Sequence, residues 1–264
     1  MKIPFTKMHG AGNDFIVVDD RNQLFPLQDQ SFIRKMASRG TGIGCDGIIL
    51  LQTSDSADIR MRFLNPDGDE VSMCGNGARC LARFAFEQKI SDREMTLETG
   101  AGIVCATVLD DGVCIGLTKA TDLQLGVSID LEWTTDFIDT GVPHAVVWVD
   151  DLDAINLSVF GRMIREHELF APKGTNADFA VVEADGTVSV RTYERGVEGE
   201  TMACGTGAAA VALLASERGK VRLPVIVHCA SGFDLVVDSV HGKITLTGGA
   251  EFVYEGEVEY GNRI

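Results

Sequence analysis

The sequence predicts an α+β protein of two pseudo-symmetric domains, each a mainly antiparallel β-sheet or barrel wrapped around a central apolar helix. Short apolar segments, several of them alternating with polar residues, recur along most of the 264 residues, and Asp-Gly turns link some of them. A Cys-Gly-x-Gly sequence leads into an Ala- and Leu-rich segment twice, at Cys74 and at Cys204. Such a repetition within one chain indicates duplicated halves.

The predicted strands cover residues 15–18, 48–51, 59–63, 103–109, 113–117, 145–149, 179–182, 188–193, 225–229, 235–238 and 243–246. Further helices are predicted over 31–38 and 158–166. After Cys74, the polar residues Arg79, Arg83 and Glu87 recur every four positions in an apolar segment, which predicts a helix with one thin polar stripe. After Cys204, residues 208–215 are apolar on every side, which predicts a fully buried helix.

A second similarity between the two halves lies upstream of each cysteine. Asn13-Asp-Phe stands 61 residues before Cys74, and Asn176-Ala-Asp-Phe stands 28 residues before Cys204. We take the two asparagines as equivalent positions of the repeat.

The predicted domains are residues 1–118, joined by a C-terminal strand over 250–264, and residues 119–249, with the active site in the cleft between them.

Composition narrows the possible partners. The formal net charge is −16 and the pI is near 4.6, so phosphate backbones and anionic lipid surfaces would be repelled, and we expect no nucleic-acid or membrane partner. No apolar run reaches the ~18 residues of a membrane span, and residues 1–20 lack a signal-peptide pattern, so we expect a cytoplasmic protein. The seven cysteines contain no C-x-x-C pair, which favours free thiols over a structural zinc site.

The two cysteines have a setting that suits acid–base chemistry. A helix start offers backbone N–H groups without helical partners, which favour a thiolate or a substrate carboxylate. Single free cysteines are most often small buried hydrophobic residues. Two of them, each at the start of the apolar helix of its own repeat, favour a functional pair. Inversion of a carbon that carries a proton needs a base on one face and an acid on the other, and a thiolate with a thiol supplies both.

Two other interpretations of the motifs are weaker. A cysteine hydrolase would need a histidine, and His9 and His144 are candidates, but it would leave the second Cys-Gly-x-Gly without a role. Residues 42–47 match G-x-G-x-x-G, yet they follow a helix and precede a strand, the reverse of the order in dinucleotide sites, so a turn is predicted.

Several polar residues are candidates for binding a substrate. Asn13, Asn65 and Asn176 lie in predicted turns beside apolar segments, where asparagine is frequent for structural reasons as well. Glu194 and Arg195 are adjacent at the end of a predicted strand. They are either a surface ion pair or a binding site for a zwitterionic substrate, since Arg can bind its carboxylate and Glu can accept a hydrogen bond from its ammonium.

Together these residues resemble the diaminopimelate epimerase family. The similarity spreads over most of the chain and is most specific in Cys74-Gly-Asn-Gly-Ala-Arg79 and Ala203-Cys-Gly-Thr-Gly207. It also includes the segments Met8–Phe15, 42–47, 63–83, 141–144, 174–176 and 193–196.

The resemblance implies an isomerase of lysine biosynthesis that interconverts LL-2,6-diaminopimelate and meso-diaminopimelate without PLP or a metal, and that forms a homodimer. It implies that Cys74 and Cys204 are the catalytic acid–base pair and that His144 and Glu194 tune the thiol pKa values. The residues implied to bind the amino-acid substrate are Asn13, Asn65, Gly75, Asn76, Asn176, Glu194, Arg195, Gly205 and Thr206.

The chain departs from the resemblance at Gly47 and Val142, where some members have Gln and Asn. A related cofactor-independent racemase of another amino acid, of the histidine or proline type, is therefore the alternative. A non-catalytic amino-acid-binding protein on the same scaffold is a third possibility, but it would not need both cysteines.

Overall fold

The computed structural model describes residues 1–240 and 242–261, and the chain divides into two compact units. The first unit is Met1–Ile115 together with the chain from Gly248 onward, and the second is Gly116–Thr247. Residues 262–264 of the predicted C-terminal strand lie outside the described part of the chain.

The first unit is a sheet with two helices. Its strands are β1 (Lys2–Gly10), β2 (Asn13–Asp19), β3 (Gly47–Gln52), β4 (Ile59–Leu64), β5 (Glu70–Val71), β6 (Glu94–Thr99), β7 (Gly102–Val108) and β8 (Val113–Gly116). Its helices are α1 (Gln30–Ala37) and α2 (Gly75–Glu87).

The second unit has the same kinds of element. Its strands are β9 (Thr121–Val127), β10 (Thr135–Asp139), β11 (Pro143–Trp148), β12 (Asn176–Val182), β13 (Val188–Glu194), β14 (Gly199–Thr201), β15 (Val225–Cys229), β16 (Asp234–Val240) and β17 (Lys243–Gly248). Its helices are α3 (Leu157–Arg165), a 3₁₀ turn (Glu168–Phe170) and α4 (Gly205–Glu217). The chain then returns to the first unit as β18 (Glu251–Glu259), which pairs antiparallel with β1.

The strands of the two units pair in the same order. In the first unit, β1–β2 is antiparallel, β2–β3 parallel, β3–β4 and β4–β5 antiparallel, β4–β6 parallel and β6–β7 antiparallel. In the second, β10–β11 is antiparallel, β11–β12 parallel, β12–β13 and β13–β14 antiparallel, β13–β15 parallel and β15–β16 antiparallel. The mainly antiparallel, pseudo-symmetric α+β fold is therefore confirmed.

Each unit wraps its sheet around one helix. Helix α2 packs against β1, β2 and β7, and α4 packs against β12, β13 and β16. In α4 the side chains of Val211 and Leu214 have no exposure, and burial of such residues contributes ~1.5–3 kcal/mol each. Because α4 is apolar all round, it is stable only inside a sheet that covers it.

The predicted strands and helices all appear in the structure, and the helix bounds differ from the predictions by one residue at α1 and α3. Strands β1, β5, β6, β9, β10 and β14 were not predicted, and of these β5 and β14 are only two and three residues long. Strand β18 lies within the C-terminal strand expected over 250–264. In the described part of the chain, no helix is long and apolar enough to cross a membrane.

Two details of the sequence interpretation are wrong. The polar stripe on α2 does not exist as predicted, because Arg79 is fully buried and donates to Asn76 Oδ1 at 2.8 Å. The equivalence of Asn13 and Asn176 is also wrong: Asn13 begins β2, whose counterpart is β11, whereas Asn176 begins β12, whose counterpart is β3. With Pro143 as the counterpart of Asn13, the distance to the cysteine is 61 residues in both units.

Candidate active site

The two cysteines occupy the same structural position in their units. Cys74 and Cys204 are the N-cap residues of α2 and α4, and both have extended backbone and half-buried side chains. Their carbonyl oxygens accept the first helical hydrogen bonds, from Ala78 at 2.8 Å and from Ala208 at 2.9 Å. The N–H groups of the three residues between each pair point out of the helix start, where they attract an anion such as a carboxylate.

In the first unit, Cys74 lies against the amide of Asn13. Its Sγ is 3.8 Å from Asn13 Oδ1, which also accepts from Asn76 Nδ2 at 3.3 Å. Asn13 Nδ2 donates to the carboxylate of Asp46 at 2.7 Å. Because a carboxylate only accepts, Asp46 fixes the amide with its oxygen toward Cys74.

A group of alternating charges holds Asp46 in place. Arg39 bridges the carboxylates of Asp14 and Asp46, at 2.5 and 2.7 Å, and the buried ammonium of Lys7 donates to Asp14 at 2.5 Å and to the carbonyl of Gly44. Burial alone would raise the pKa of the Asp14 carboxyl, but the hydrogen bonds from Arg39 and Lys7 lower it below its ordinary value. No sequence pattern singles out Asp46, which lies in the turn over residues 42–47.

In the second unit, Cys204 lies against the hydroxyl of Thr206, with 3.4 Å between Sγ and Oγ1. The same hydroxyl is 2.9 Å from Nε2 of His144, whose Nδ1 is 2.7 Å from Oδ2 of Asp178. Burial raises the pKa of the Cys204 thiol well above its ordinary value, and the carboxylates of Glu194 and Asp178 raise it further. This environment favours the protonated thiol.

The remaining candidates of the second unit lie at the ends of β12 and β13. The side chain of Asn176 donates to the carbonyl of Pro143 at 3.1 Å and accepts from the backbone N–H of Arg195 at 2.8 Å. Burial raises the pKa of the Glu194 carboxyl above its ordinary value. Glu194 and Arg195 are half-buried, so they are not an ordinary surface pair.

Two further candidates, Asn65 and Gly205, lie where the backbone is closely packed. Asn65 follows β4 in a tight turn closed by hydrogen bonds with Asp69 and Gly68, both 2.9 Å. A Cβ at Gly205 would lie 2.8 Å from a terminal methyl of Leu246, so a side chain at this position requires that methyl to move. Within the described residues, the Asn65 side chain makes no hydrogen bond to the Asn13–Cys74 group, whereas Asn176 joins the His144 group directly.

The described residues contain no group of three or more His, Cys, Asp or Glu side chains placed to hold a metal ion. The arrangement offers two thiols with hydrogen-bonding partners, two helix starts suited to a carboxylate, and half-buried acidic and basic groups. The residues that the sequence did not single out, Asp46 and Asp178, are carboxylates without a motif of their own. Asp178 carried a signal, since it stands two residues after Asn176 and therefore on the same face of a strand.

Comparison with known proteins gives one consistent family. A family model described as diaminopimelate epimerase matches residues 5–121 and 137–253. A diaminopimelate epimerase of Aquifex aeolicus is 41% identical over 96% of this chain and 97% of its own length, and one of Archaeoglobus fulgidus is 38% identical over 97% and 96%.

Similar solved structures share the fold at lower identity. A PhzF-family phenazine biosynthesis protein of Bacillus anthracis has a TM-score of 0.75 at 19% identity, covering 98% of this chain and all of its own. A hydroxyproline epimerase of Agrobacterium vitis has a TM-score of 0.70 at 20% identity, covering 97% of this chain and 92% of its own.

Proposed function

Since the chain belongs to the diaminopimelate epimerase family, we propose that it interconverts LL-2,6-diaminopimelate and meso-diaminopimelate by proton transfer at the α-carbon, without PLP, in lysine biosynthesis. The observation that carries the proposal is the repeated site. In each unit a cysteine caps the apolar helix and contacts a polar partner, Asn13 for Cys74 and Thr206 for Cys204.

The reaction needs one group that removes the α-proton and one that delivers a proton to the opposite face. In the proposal Cys74 and Cys204 are these groups, and they exchange roles when the reaction runs backward. The raised pKa of Cys204 supports its role as the protonated member of the pair in the free enzyme. A thiolate is the form that acts as base, so in each direction of the reaction one of the two cysteines must be deprotonated.

The carbanion-like state must be stabilised, because the α-hydrogen of an amino acid is far less acidic than a thiol. We assign this role to the helix starts, where N–H groups of Gly75 and Asn76, and of Gly205 and Thr206, would bind a carboxylate. Asn13, Asn65, Asn176, Glu194 and Arg195 would hold the rest of the substrate, and His144 and Glu194 would tune the thiols.

Deuterium incorporation tests the proposal directly. In D₂O, each inversion should introduce one deuterium at the α-carbon, and inversion without deuterium would refute proton transfer. Cys74→Ser and Cys204→Ser should each lose most of the epimerisation, whereas Cys105→Ser, at an exposed thiol on β7, should retain it. Normal turnover in either of the first two variants would contradict the assignment.

Gly47 gives a reason to test a second substrate class. A Cβ at this position would lie 2.3 Å from the ring of Phe63, so the ring takes the space of any side chain there. A contact that a Gln provides in some family members is therefore missing. A racemase of the histidine or proline type is the alternative function, and a panel of diaminopimelate, histidine and proline isomers decides between them.

The proposal includes a homodimer in the cytoplasm that uses no nucleic-acid or membrane partner. Support comes from family membership and from the acidic composition. Light scattering of the purified protein at micromolar concentration measures the oligomeric state, and a monomer of 28.4 kDa would contradict it.

A further inference from the structure

A continuous chain of hydrogen bonds leads away from Cys204 into the core of the second unit. It runs from Cys204 Sγ to Thr206 Oγ1 at 3.4 Å, from there to His144 Nε2 at 2.9 Å, and from His144 Nδ1 to Asp178 Oδ2 at 2.7 Å. The imidazole and the carboxylate have no exposure to solvent. A fully buried carboxylate that ends such a chain has a large influence on the groups along it, because water does not screen it.

The directions of these hydrogen bonds follow from the partners. Asp178 Oδ1 accepts from the hydroxyl of Thr192 at 2.7 Å, which leaves Oδ2 as the acceptor for His144. A carboxylate has no proton to donate, so Nδ1 of His144 carries one. The imidazole then presents Nε2 as an acceptor.

Asn176 supports the same tautomer from the other side. Its Oδ1 accepts the backbone N–H of Arg195, so its Nδ2 faces Pro143 O at 3.1 Å and His144 Nε2 at 3.4 Å. Nε2 therefore has two donors within reach, the amide of Asn176 and the hydroxyl of Thr206. One of them can leave while Nε2 keeps a partner.

We propose that Asp178 is a positioning residue for the Cys204 thiol, acting through His144 on a Thr206 hydroxyl that turns between two partners. When Cys204 is a thiol, the hydroxyl donates to Nε2 and its oxygen accepts the S–H. When Cys204 is a thiolate, the hydroxyl donates to Sγ, and Asn176 alone donates to Nε2. Both protonation states thus have a satisfied hydrogen bond, which a residue that alternates between acid and base requires; this rests on the function proposed above.

The packing around Asp178 shows how closely the carboxylate is held. A Cβ at Gly207 would lie 2.6 Å from Asp178 Oδ1 and 3.3 Å from the hydroxyl of Thr192. The Asp178 carboxylate therefore packs directly against the backbone of α4 at its third residue, Gly207, where a side chain would collide with it. The exposed pair His228–Asp234, with 2.7 Å between Nδ1 and Oδ1, has the same chemistry without this burial and serves as a control.

The test measures the pH at which the Cys204 thiol becomes reactive, by iodoacetamide alkylation followed by mass spectrometry of its peptide. The ionisable groups that face this thiol are Glu194, Asp178 and His144. Thr206→Val removes the donor to the thiolate and should raise the midpoint by about one pH unit. Thr206→Ser keeps a hydroxyl and should restore the wild-type midpoint.

Asp178→Asn should shift the midpoint in the opposite direction. It removes a negative charge near Cys204 and no longer requires the Nδ1–H tautomer, so the thiolate becomes easier to form. Asp234→Asn, at the exposed pair, should leave the midpoint unchanged. In turnover, Thr206→Val should lower kcat about tenfold with a smaller effect on KM, and Thr206→Ser should recover most of the loss.

Opposite shifts in Thr206→Val and Asp178→Asn support the proposal, because general loss of structure would not separate them. Equal midpoints in Thr206→Val and Thr206→Ser would overturn it, as would a raised midpoint in Asp178→Asn. If Asp178→Asn does not fold, as circular dichroism would show, the Val and Ser pair decides. The alkylation midpoints need no turnover, so they test the hydrogen-bond chain even if diaminopimelate is not a substrate.

Discussion

The glycines at the third position of α2 and α4 lead to different expectations for the same substitution. Gly77 and Gly207 are equivalent residues of the two Cys-Gly-x-Gly sequences, and both lie in the first helical turn. A Cβ at Gly77 would meet the terminal methyls of Ile49 and Met61, at 2.9 and 3.1 Å. A Cβ at Gly207 would meet the Asp178 carboxylate oxygen at 2.6 Å.

The magnitudes follow from these contacts. Alanine in place of helical glycine stabilises by ~0.5–1 kcal/mol through backbone entropy. At Gly77 the obstructing atoms are the free ends of flexible side chains, so the cost of their displacement roughly cancels this gain. At Gly207 the oxygen is fixed by Thr192 and His144, and overpacking against it costs ~1–3 kcal/mol. Gly207→Ala should therefore be less stable than Gly77→Ala by about 1–2 kcal/mol.

Thermal unfolding by calorimetry measures the difference, since 1 kcal/mol corresponds to about 4 °C in Tm for a unit of this size. Gly207→Ala should also lower kcat, because displacement of Asp178 disturbs His144 and Thr206. Gly77→Ala should retain near-normal stability. Equal Tm values in the two variants, or a greater loss of Tm in Gly77→Ala, would contradict the difference expected from these contacts.

Two more predictions concern carboxylates, the buried Asp136 and the exposed Asp46. Burial would raise the pKa of the Asp136 carboxyl, but hydrogen bonds from Arg218, at 2.5 Å, and Trp148, at 2.6 Å, help to lower it below its ordinary value. The ionised carboxylate therefore stabilises the folded protein above the unfolded pKa of about 3.9. This stabilisation is lost as the pH falls through the lower pKa of the folded state. Asp136→Asn should destabilise by ~3 kcal/mol at pH 7 and flatten the acid side of the stability–pH curve in urea titrations; an unchanged curve would contradict this. Asp46→Asn should let the Asn13 amide turn and lower kcat/KM about tenfold, while unchanged kinetics would contradict the positioning of Asn13.

The sequence predicted the parts of the fold that depend on local patterns. The Cys-Gly-x-Gly sequences and the apolar segments after them located the starts of α2 and α4, because glycine turns and hydrophobic periodicity act over a few residues. Strands β5 and β14 escaped prediction since two and three residues are too few to show a period. The burial of Arg79 also escaped, because it depends on Asn76 and on the carbonyl of Gly249, 170 residues away.

In the candidate site, too, the residues with a local sequence pattern were predicted and the others were not. Cysteines at helix starts have a sequence signature, whereas a carboxylate that acts through a histidine or an amide has none. Asp46 reaches Asn13 across a gap of 33 residues, and Asp178 reaches His144 across 34, each through a parallel strand pair. Only the pairing of β2 with β3, and of β11 with β12, brings these groups together.

The corrected repeat also bears on how two similar thiols can act differently. With Pro143 as the counterpart of Asn13, the residue after it in each unit differs: Asp14 in the first and His144 in the second. The first thiol meets the amide oxygen of Asn13, which Asp46 holds in place, and the second meets the hydroxyl of Thr206, which is hydrogen-bonded to the imidazole of His144. A two-base epimerase must hold one thiol protonated while the other is not. Identical surroundings would favour neither state, so the divergence of these partners on a duplicated scaffold supplies the asymmetry that the proposed reaction needs.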